Sequence, residues 1–409
     1  MLFGCIADDF TGGSDIASFF SKGGLSTVLY SGIPKTNEYL KADVCVIALK
    51  TRTQQTDKAV DISLEALKWL KKQGAKQYYI KYCSTFDSTP EGNIGPICDA
   101  AMKELNVPYT IVCPALPING RTVKEGCLYV NEVPLHKSPM KDHPLTPMWD
   151  YDLEILMNAQ SKFSSYKLSN FSNEKEINKF IDMKEKSKVQ SKFYLIPDHE
   201  IDKDAQKIVS FFGKLKLITG GSGLAYSLAK NIKKETKRKM YNKSASPALI
   251  LAGSSSEATR EQISKYKSYE GETYFLDPIK LLVGEETVQN IWDNISKNKT
   301  VLIYSSDSPE NVKKVQRFGK EKVANELEKT FAELTEIAVN YGYNRIIIAG
   351  GETSGAVTKK MGYTSYHVGE SIAPGVPVLI PTDNTQVRLV TKSGNFGNSD
   401  FFLDALSLT

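Results

Sequence analysis

The sequence predicts an α/β protein of two domains, each a mostly parallel sheet flanked by helices, with a functional site in the cleft between them. Short apolar runs alternate with longer segments of helical periodicity, which is the pattern of strand–helix–strand units. A length of 409 residues suits about two to three domains of roughly 150 residues. A charged segment ending in Ser-Ala-Ser-Pro precedes a fresh apolar strand, so we predict domains at 1–235 and 248–409 joined by a basic linker, 236–247. Two α/β domains usually form a ligand site in the cleft between them.

The predicted elements follow from local periodicity. Strands are short apolar runs bounded by turn residues, at 2–7, 27–30, 44–49, 77–81, 109–113, 193–196, 216–219, 248–252, 272–276, 300–304, 345–349 and 378–380. Helices are segments whose apolar residues recur every third or fourth position, at 57–72, 95–105, 257–266, 285–297 and 320–341. The Pro- and Lys-rich stretch 134–147 predicts a long loop.

The composition is that of an ordinary folded protein, with 41% hydrophobic and 24% charged residues, which excludes a disordered chain, a collagen and a coiled coil. The net charge of +5 equals the excess of the run 233–243, which has six basic residues and one glutamate. Such a run is typical of a solvated linker rather than of a nucleic-acid surface. No run of 18 apolar residues predicts a membrane helix, and Asp8 and Asp9 come too early for a secretory signal. We therefore expect a cytoplasmic protein without nucleic-acid or membrane partners.

Cysteine and histidine usage gives no indication of a metal site. All six cysteines lie in the first third of the chain, mostly inside apolar runs, and no two have Cys-x-x-Cys spacing. They are therefore predicted to be buried thiols rather than zinc ligands. The four histidines are scattered without metal-ligand spacing, so we predict no metal-ligating residue.

Two adjacent carboxylates, Asp8 and Asp9, directly follow the first predicted strand, and a Thr-Gly-Gly-Ser turn then opens a helix. Open α/β sheets bind ligands at the carboxyl ends of their strands. Neighbouring side chains of an extended chain point in opposite directions, so one carboxylate can face a substrate hydroxyl while the other braces the loop. The alternative is that either aspartate caps the helix, which aspartate does well.

Polar loops also follow two later strands of the N-terminal half. Lys81 opens a Ser/Thr-rich cluster that contains Asp87; the lysine can neutralise a carboxylate or phosphate, and the aspartate can act as a base or anchor a hydroxyl. Arg121 follows the strand predicted at 109–113, and arginine can hold a carboxylate with two hydrogen bonds. The competing interpretations are an ordinary helix-capping turn and a surface arginine.

Gly- and Ser-rich turns join strands to helices at 220–225, 253–257 and 350–355, and a similar loop lies at 392–397. The turn that begins at Gly350 is the strongest signal, because backbone N–H groups at a helix start bind anions and glycines let a phosphate approach. None of these turns is a P-loop or a complete dinucleotide-binding fingerprint. Ser254 and Glu257 also form a capping box, so part of their signal is local.

Seven segments, each weak alone, occur in an order that is highly specific. They are ADDFTGGSD, KYCSTFDST with GNIGP, PALPINGRT, ITGGSGLA, GGETSGAV, PGVP and KSGNFGNSDFF. Together they resemble the four-carbon acid sugar kinase family over essentially the whole chain. Gly13 is one departure, because we expect alanine at this position of the family's acid-rich motif.

The resemblance implies an N-terminal acid-sugar-binding domain and a C-terminal nucleotide-binding domain. It also implies transfer of the ATP γ-phosphoryl group, with Mg²⁺, to the C4 hydroxyl of a four-carbon oxo acid. Threonate or erythronate kinases are the nearest alternatives. An oxidoreductase would need a complete dinucleotide fingerprint and an acidic residue about 20 positions later, and a periplasmic sugar-acid binder would need an export signal. The sequence leaves the oligomeric state open, a homodimer included.

Residue roles are carried over by motif and by chemistry. The nucleotide is expected at Ser254 or Ser255, Gly350, Gly351, Glu352, Thr353, Ser354 and Gly394. The substrate is expected against Asp8 and Arg121, with Asp9, Asp87 and Lys81 as catalytic groups. Asp9 or Asp87 accepts the proton of the attacking hydroxyl, and Lys81 offsets charge on the transferred group.

Overall fold

The structure is a computed structural model that describes residues 1–35, 40–143, 146–169, 174–186, 192–232 and 241–409. The chain divides into two compact units, Met1–Arg238 and Lys239–Thr409. Each unit contains a mostly parallel sheet flanked by helices, as the sequence predicts. Residues 236–240 of the predicted linker lie outside the described residues.

The N-terminal unit alternates strands and helices along most of its length. Its strands are β1 (Phe3–Ala7), β2 (Thr27–Ser31), β3 (Val44–Ala48), β4 (Gln77–Lys81), β5 (Tyr109–Cys113), β6 (Arg121–Lys124), β7 (Cys127–Val130), β8 (Val133–Pro134), β9 (Ser164–Leu168), β10 (Phe193–Pro197) and β11 (Leu217–Gly220). Its helices are α1 (Phe10–Lys22), α2 (Thr56–Lys72), α3 (Ile94–Glu104), α4 (Leu153–Asn158), α5 (Glu174–Lys186), α6 (Asp202–Phe212) and α7 (Ala225–Lys230).

The main sheet of this unit is parallel in the order β2-β3-β1-β4-β11-β5-β10-β9. Every residue of β1 and β3 is buried, which is typical of parallel strands covered by helices on both faces. Since β3, β1 and β4 are neighbours, the loops that follow them emerge side by side at the carboxyl edge. This strand order positions the candidate site.

The sequence did not predict β6 to β9. The first three form a small antiparallel sheet, β6-β7-β8, and β9 is a half-exposed strand at the end of the main sheet. Strands β6 and β9 carry polar residues and so lack a continuous apolar run, and β7 and β8 are only four and two residues long. The predicted loop 134–147 contains two short 3₁₀ turns, Leu135–Lys137 and Pro139–Asp142.

The C-terminal unit has a second sheet in the order β13-β14-β12-β15-β18-β17-β16. Its strands are β12 (Ala248–Ala252), β13 (Glu272–Phe275), β14 (Val301–Tyr304), β15 (Arg345–Ala349), β16 (Ser365–Ala373), β17 (Val376–Pro381) and β18 (Arg388–Lys392). Its helices are α8 (Glu257–Ser268), α9 (Pro278–Val283), α10 (Val288–Asn294), α11 (Pro309–Gln316), α12 (Lys320–Tyr341), α13 (Gly351–Met361) and α14 (Phe401–Leu408). The first five strands in this order are parallel, whereas β17 runs antiparallel to both β18 and β16.

The predicted helix 285–297 is longer than the helix observed there. Gly284, in the left-handed conformation at φ 76°, ends α9. Thr287 then caps α10, because its side chain accepts a hydrogen bond from Asn290 N at 3.2 Å. The helix therefore begins at Val288 rather than at residue 285.

Gly13 lies in α1 and packs directly against β3. A Cβ atom on Gly13 would lie 2.8 Å from Ala48 Cβ and 3.1 Å from Leu29 Cδ1. Strain of this kind costs about 1–3 kcal/mol, and alanine recovers roughly 1 kcal/mol of helix propensity. We therefore expect Gly13→Ala to lower the free energy of unfolding by about 1 kcal/mol, measured by urea denaturation. Ala48→Gly in the same protein should relieve this loss, and additive effects of the two substitutions would contradict the contact.

Candidate active site

One arginine, Arg52, joins the carboxylates that follow two strands of the N-terminal sheet. Its Nε and Nη2 donate to the two oxygens of Asp8 at 2.8 and 3.0 Å. Its Nη2 also lies 2.9 Å from Asp9 Oδ2, and its Nη1 lies 3.9 Å from Asp87 Oδ2. The structure thus brings together the predicted residues Asp8, Asp9 and Asp87 around a cation that the sequence did not predict.

The two adjacent aspartates have different local roles. Asp9 caps α1, because its Oδ1 accepts a hydrogen bond from Gly12 N at 2.5 Å. Both oxygens of Asp8 are occupied by Arg52. Asp87 is 6% exposed, and its Oδ1 accepts from Thr85 Oγ1 at 2.6 Å. The capping interpretation is therefore correct for Asp9, which pairs with Arg52 through its second oxygen.

Burial and the neighbouring charges shift the pKa values of Asp8 and Arg52 in opposite directions. Burial raises the pKa of the Asp8 carboxyl above its ordinary value, although Arg52 acts to lower it. Burial acts to lower the pKa of Arg52, but the carboxylates of Asp8 and Asp9 raise it well above its ordinary value. Arg52 is thus a permanent positive charge that holds the carboxylates together.

Lys81 belongs to a second ion pair. Its side chain is 2% exposed, and Nζ lies 3.4 Å from Asp15 Oδ2 while donating to Tyr82 O at 2.9 Å. Asp15 in turn accepts from Ser222 Oγ at 2.9 Å, so the Gly-rich turn after β11 braces this pair. Burial acts to lower the pKa of Lys81, but Asp15 and Asp8 raise it above its ordinary value. The lysine is therefore charged, and Asp15 already neutralises it.

Arg121, the first residue of β6, differs from both other cations. Its Nη1 donates to the backbone oxygen of Asn119, and its Nε is buried without a hydrogen-bond partner among the described residues. Burial lowers the pKa of Arg121, whereas Cys83, Asp87 and Asp15 are near enough to raise it. Within the described ranges this arginine forms no salt bridge, so its guanidinium retains donors for a ligand.

The residue that precedes α3, Asn93, holds the loop that carries Arg52. Asn93 Nδ2 donates to Thr51 O at 2.6 Å and to Gln54 O at 2.7 Å. A cavity of about 20 Å³ lies beneath this loop and is lined by Asp8, Arg52, Lys81, Asp87 and Asn93, among others. A cavity of this size holds about one water molecule, so the charged groups are already closely packed.

In the C-terminal unit, Ser254 lies among the predicted nucleotide-binding loops, which follow the neighbouring strands β12, β15 and β18. A Cβ atom on Gly394 would lie 2.1 Å from Ser254 Oγ, and one on Gly350 would lie 3.2 Å from Ser254 N. Ser306, after β14, donates to Ala252 O at 3.2 Å and also to the backbone oxygen of Ser254. Ser306 is not among the residues predicted from the sequence. Ser255 is partly exposed beside Ser254.

The start of α13 has the features of an anion site. Gly350 has φ 134°, a conformation that L side chains rarely adopt. A Cβ atom on Gly351 would meet nothing within 4 Å, so space is open at the first residue of the helix. The N–H groups of Gly351, Glu352 and Thr353 come before the first intrahelical donor and so have no acceptor within the helix. That first donor is Ser354 N, which donates to Gly350 O at 2.9 Å. Glu352 is exposed, and the side chains of Thr353 and Ser354 are buried.

Two family models match the chain, a sugar-binding N-terminal domain over residues 3–228 and a nucleotide-binding C-terminal domain over residues 249–402. The chain is 38% identical over 407 residues to a 3-oxo-tetronate kinase of Haemophilus influenzae, covering 98% of both chains. It is 39% identical over 410 residues to a 3-oxo-tetronate kinase of Actinobacillus succinogenes, again covering 98% of both. The chain belongs to the four-carbon acid sugar kinase family. This confirms the family resemblance of the seven segments.

A solved structure shows the same fold. A Salmonella typhimurium protein, provisionally described as a tRNA synthase, is 36% identical, covers 98% of both chains and has a TM-score of 0.86. This chain therefore shares its α/β fold with that protein. In the part of the chain that the structure describes, no helix is long and apolar enough to cross a membrane. Within the same part, no group of three or more His, Cys, Asp or Glu residues could hold a metal ion.

We expect Arg52 to make a large contribution to the free energy of unfolding of the N-terminal unit. Removing one partner of a buried ion pair costs about 3–5 kcal/mol; because Arg52 is 24% exposed, we expect Arg52→Gln to lower the free energy of unfolding by about 3 kcal/mol. Lys71→Gln is the matched control, since its pair with Glu104 is 39% and 26% exposed and should contribute about 1 kcal/mol or less. Urea denaturation measures both, and equal losses would contradict a central role for Arg52.

Proposed function

We propose that this protein is an ATP-dependent kinase that transfers the γ-phosphoryl group to the C4 hydroxyl of 3-oxo-tetronate. The observation that carries the proposal is the 38–39% identity to 3-oxo-tetronate kinases over 98% of both chains. The matches to a sugar-binding and a nucleotide-binding domain agree with it. The prediction that the reaction takes place in a cleft between the two domains stays a prediction.

The carboxylate of the acid is proposed to bind Arg121. Arg52 already contacts Asp8 and Asp9, and Lys81 is neutralised by Asp15. Arg121 has a buried Nε without a partner among the described residues, and a guanidinium can hold a carboxylate with two parallel hydrogen bonds. Of these three cations, Arg121 is therefore the one with donors available for the carboxylate of the substrate.

Asp87 is proposed as the group that accepts the proton of the attacking hydroxyl. Its Oδ2 has only a distant contact with Arg52, at 3.9 Å, whereas Asp9 caps α1 and Asp8 is held by Arg52 at both oxygens. The predicted role of Lys81, to offset charge on the transferred group, stays a prediction, because Asp15 already neutralises this lysine. Phosphoryl transfer depends on such positioning and charge neutralisation more than on covalent help.

The phosphates of ATP are proposed to bind in the open space next to Gly351. Gly350, Gly394 and Ser254 are proposed to surround them. The open space at Gly351 and the N–H groups of the first turn of α13 suit an anion. MgATP is proposed as the phosphoryl donor, and its Mg²⁺ would retain several water ligands and neutralise the β- and γ-phosphates.

The function is tested with a panel of four-carbon acids. Purified protein is incubated with ATP, Mg²⁺ and 3-oxo-tetronate, threonate or erythronate while ADP release is followed. We expect 3-oxo-tetronate to have the highest kcat/KM. A higher value for threonate or erythronate would reassign the substrate, and absence of acid-dependent ADP release with all three would contradict the kinase.

Arg121→Ala should weaken binding of the acid. Loss of a charge-assisted hydrogen bond costs about 1.5–3 kcal/mol, or roughly 10- to 150-fold in affinity. The KM for the acid should therefore rise by at least about tenfold while the KM for ATP stays unchanged. Lys124→Ala is the control, because this lysine of the same strand is 59% exposed and pairs with Glu200 at 3.9 Å. An unaltered KM in Arg121→Ala would place the carboxylate elsewhere.

Asp87→Asn should remove the base. Asparagine is nearly isosteric with aspartate, so kcat should fall by at least about 100-fold with ATP binding retained. Asp9→Asn is the matched comparison, because asparagine caps helices as well as aspartate does, and its kcat should fall much less. Steady-state kinetics and calorimetry of ATP binding measure the two effects. The opposite ranking would assign the proton transfer to Asp9.

Gly351→Val should block the nucleotide without disturbing the fold. Its side chain would occupy the open space at the start of α13, so the KM for ATP should rise by at least about tenfold through lost phosphate contacts. Gly351→Ala, which adds one methyl group, should have a smaller effect. The melting temperature and the KM for the acid should not change. A folded Gly351→Val protein with normal ATP affinity would exclude this turn from the site.

A further inference from the structure

Lys392, the last residue of β18, is a fully buried lysine without a salt bridge among the described residues. Its Nζ lies 2.8 Å from Gly394 O, 3.1 Å from Ser393 O and 3.2 Å from Thr259 Oγ1. An ammonium group has three N–H donors and no acceptor. These three oxygens therefore satisfy the charged form of the side chain.

The contacts of Lys392 determine which way the following turn faces. Phe396 N donates to Ser393 O at 3.1 Å and closes the turn 393–396. In a planar trans peptide the C=O and N–H groups point in opposite directions. Because the carbonyls of Ser393 and Gly394 both face Lys392, the N–H groups of Gly394 and Asn395 face away from it. Consecutive N–H groups on one side of a turn form an anion-binding concavity.

Helix α8 holds the same turn next to Ser254. Gly394 O also accepts from Ser256 Oγ at 2.8 Å and from Thr259 Oγ1 at 3.0 Å. Gln262, one turn further along α8, donates to the backbone oxygens of Phe396, Gly397 and Asn398 at 2.9–3.2 Å. These side-chain donors therefore fix the backbone of the turn next to Ser254.

We propose that Lys392 is a positioning residue of the nucleotide site, which orients the N–H groups of Gly394 and Asn395 toward the phosphates and supplies a positive charge behind them. This inference rests on the proposed kinase function. It adds a cation to a site whose predicted residues carry only backbone donors, hydroxyls and the carboxylate of Glu352.

The number of protons taken up when nucleotide binds distinguishes this role of Lys392 from a purely structural one. Burial lowers the pKa of Lys392 to about 7, and burial is the one cause of this shift. Helices α8, α13 and α14 lie around this part of β18. None of their charged groups contributes to the shift; these are Glu257, Arg260, Glu261, Lys265, Lys267, Glu352, Lys359, Lys360 and Asp404, with Asp400 preceding α14. At pH 8 the amine is therefore mostly neutral without nucleotide. A bound phosphate favours the charged form, so nucleotide binding should take up a proton.

The test is calorimetry of MgADP binding at pH 8 in two buffers of different ionisation enthalpy. For the unaltered protein we expect uptake of a large fraction of one proton. Lys392→Met should abolish the uptake and weaken MgADP binding by at least about tenfold, with a smaller effect on kcat at saturating ATP. Thr391→Val is the matched control, because the Thr391 hydroxyl is buried without a hydrogen-bond partner among the described residues, and it should behave like the unaltered protein.

The outcomes separate this inference from the proposed function. An unaltered protein that binds MgADP without proton uptake at pH 8 would overturn the role of Lys392, and this readout does not require any variant to fold. A folded Lys392→Met protein with unchanged affinity and uptake would overturn it as well. An unaltered protein that binds neither MgADP nor MgATP would instead contradict the kinase itself.

Discussion

The contact between Arg52 and the three carboxylates of Asp8, Asp9 and Asp87 is the interaction on which the N-terminal site depends. Like charges brought together away from bulk water repel strongly unless a cation lies between them. Arg52 supplies that cation, and Lys81 does the same for a further buried carboxylate on α1. The charges of these two cations are therefore already committed inside the protein. An incoming acid must bind a third cation, which is why Arg121, with its unused donors, has the central place in the proposed recognition of substrate.

In the C-terminal unit, the proposed donors for an anionic ligand are mainly backbone N–H groups. Its loops approach one another closely because glycines face Ser254 from two neighbouring strands. The N–H groups at the start of α13 and in the turn after β18 then provide donors without side chains that would fill the space. A buried lysine without a carboxylate partner among the described residues would be unfavourable in most proteins. Here its three N–H donors are satisfied by oxygens of the turn itself and of α8.

Much of the fold could be predicted because its central strands are continuous apolar runs. The strands at Gln77–Lys81, Tyr109–Cys113, Ala248–Ala252 and Arg345–Ala349 have the predicted bounds. Strands β6 and β9 lack such runs and were missed, as were the short strands β7 and β8 and the antiparallel neighbours of β17. Asp8 and Asp9 were predicted because they follow a strand directly, and Lys81 and Asp87 because they lie at the end of β4 and in the polar loop after it. Arg52 was not, since its loop has neither glycine nor acid, and its place beside Asp8 depends on β3 lying next to β1, an order that local patterns do not reveal.

Asp9 links the first helix to the charges of the site, because one of its oxygens accepts from Gly12 N while the other contacts Arg52. The amide proton of Gly12 is therefore bonded to a group whose electron density responds to every change of charge nearby. In an NMR spectrum this amide would act as a built-in reporter: its chemical shift would follow the arrival of an anionic ligand without any label placed in the site. Glycine amides resonate in a sparsely populated spectral region, so a backbone contact that stabilises a helix end would also allow occupancy to be observed directly.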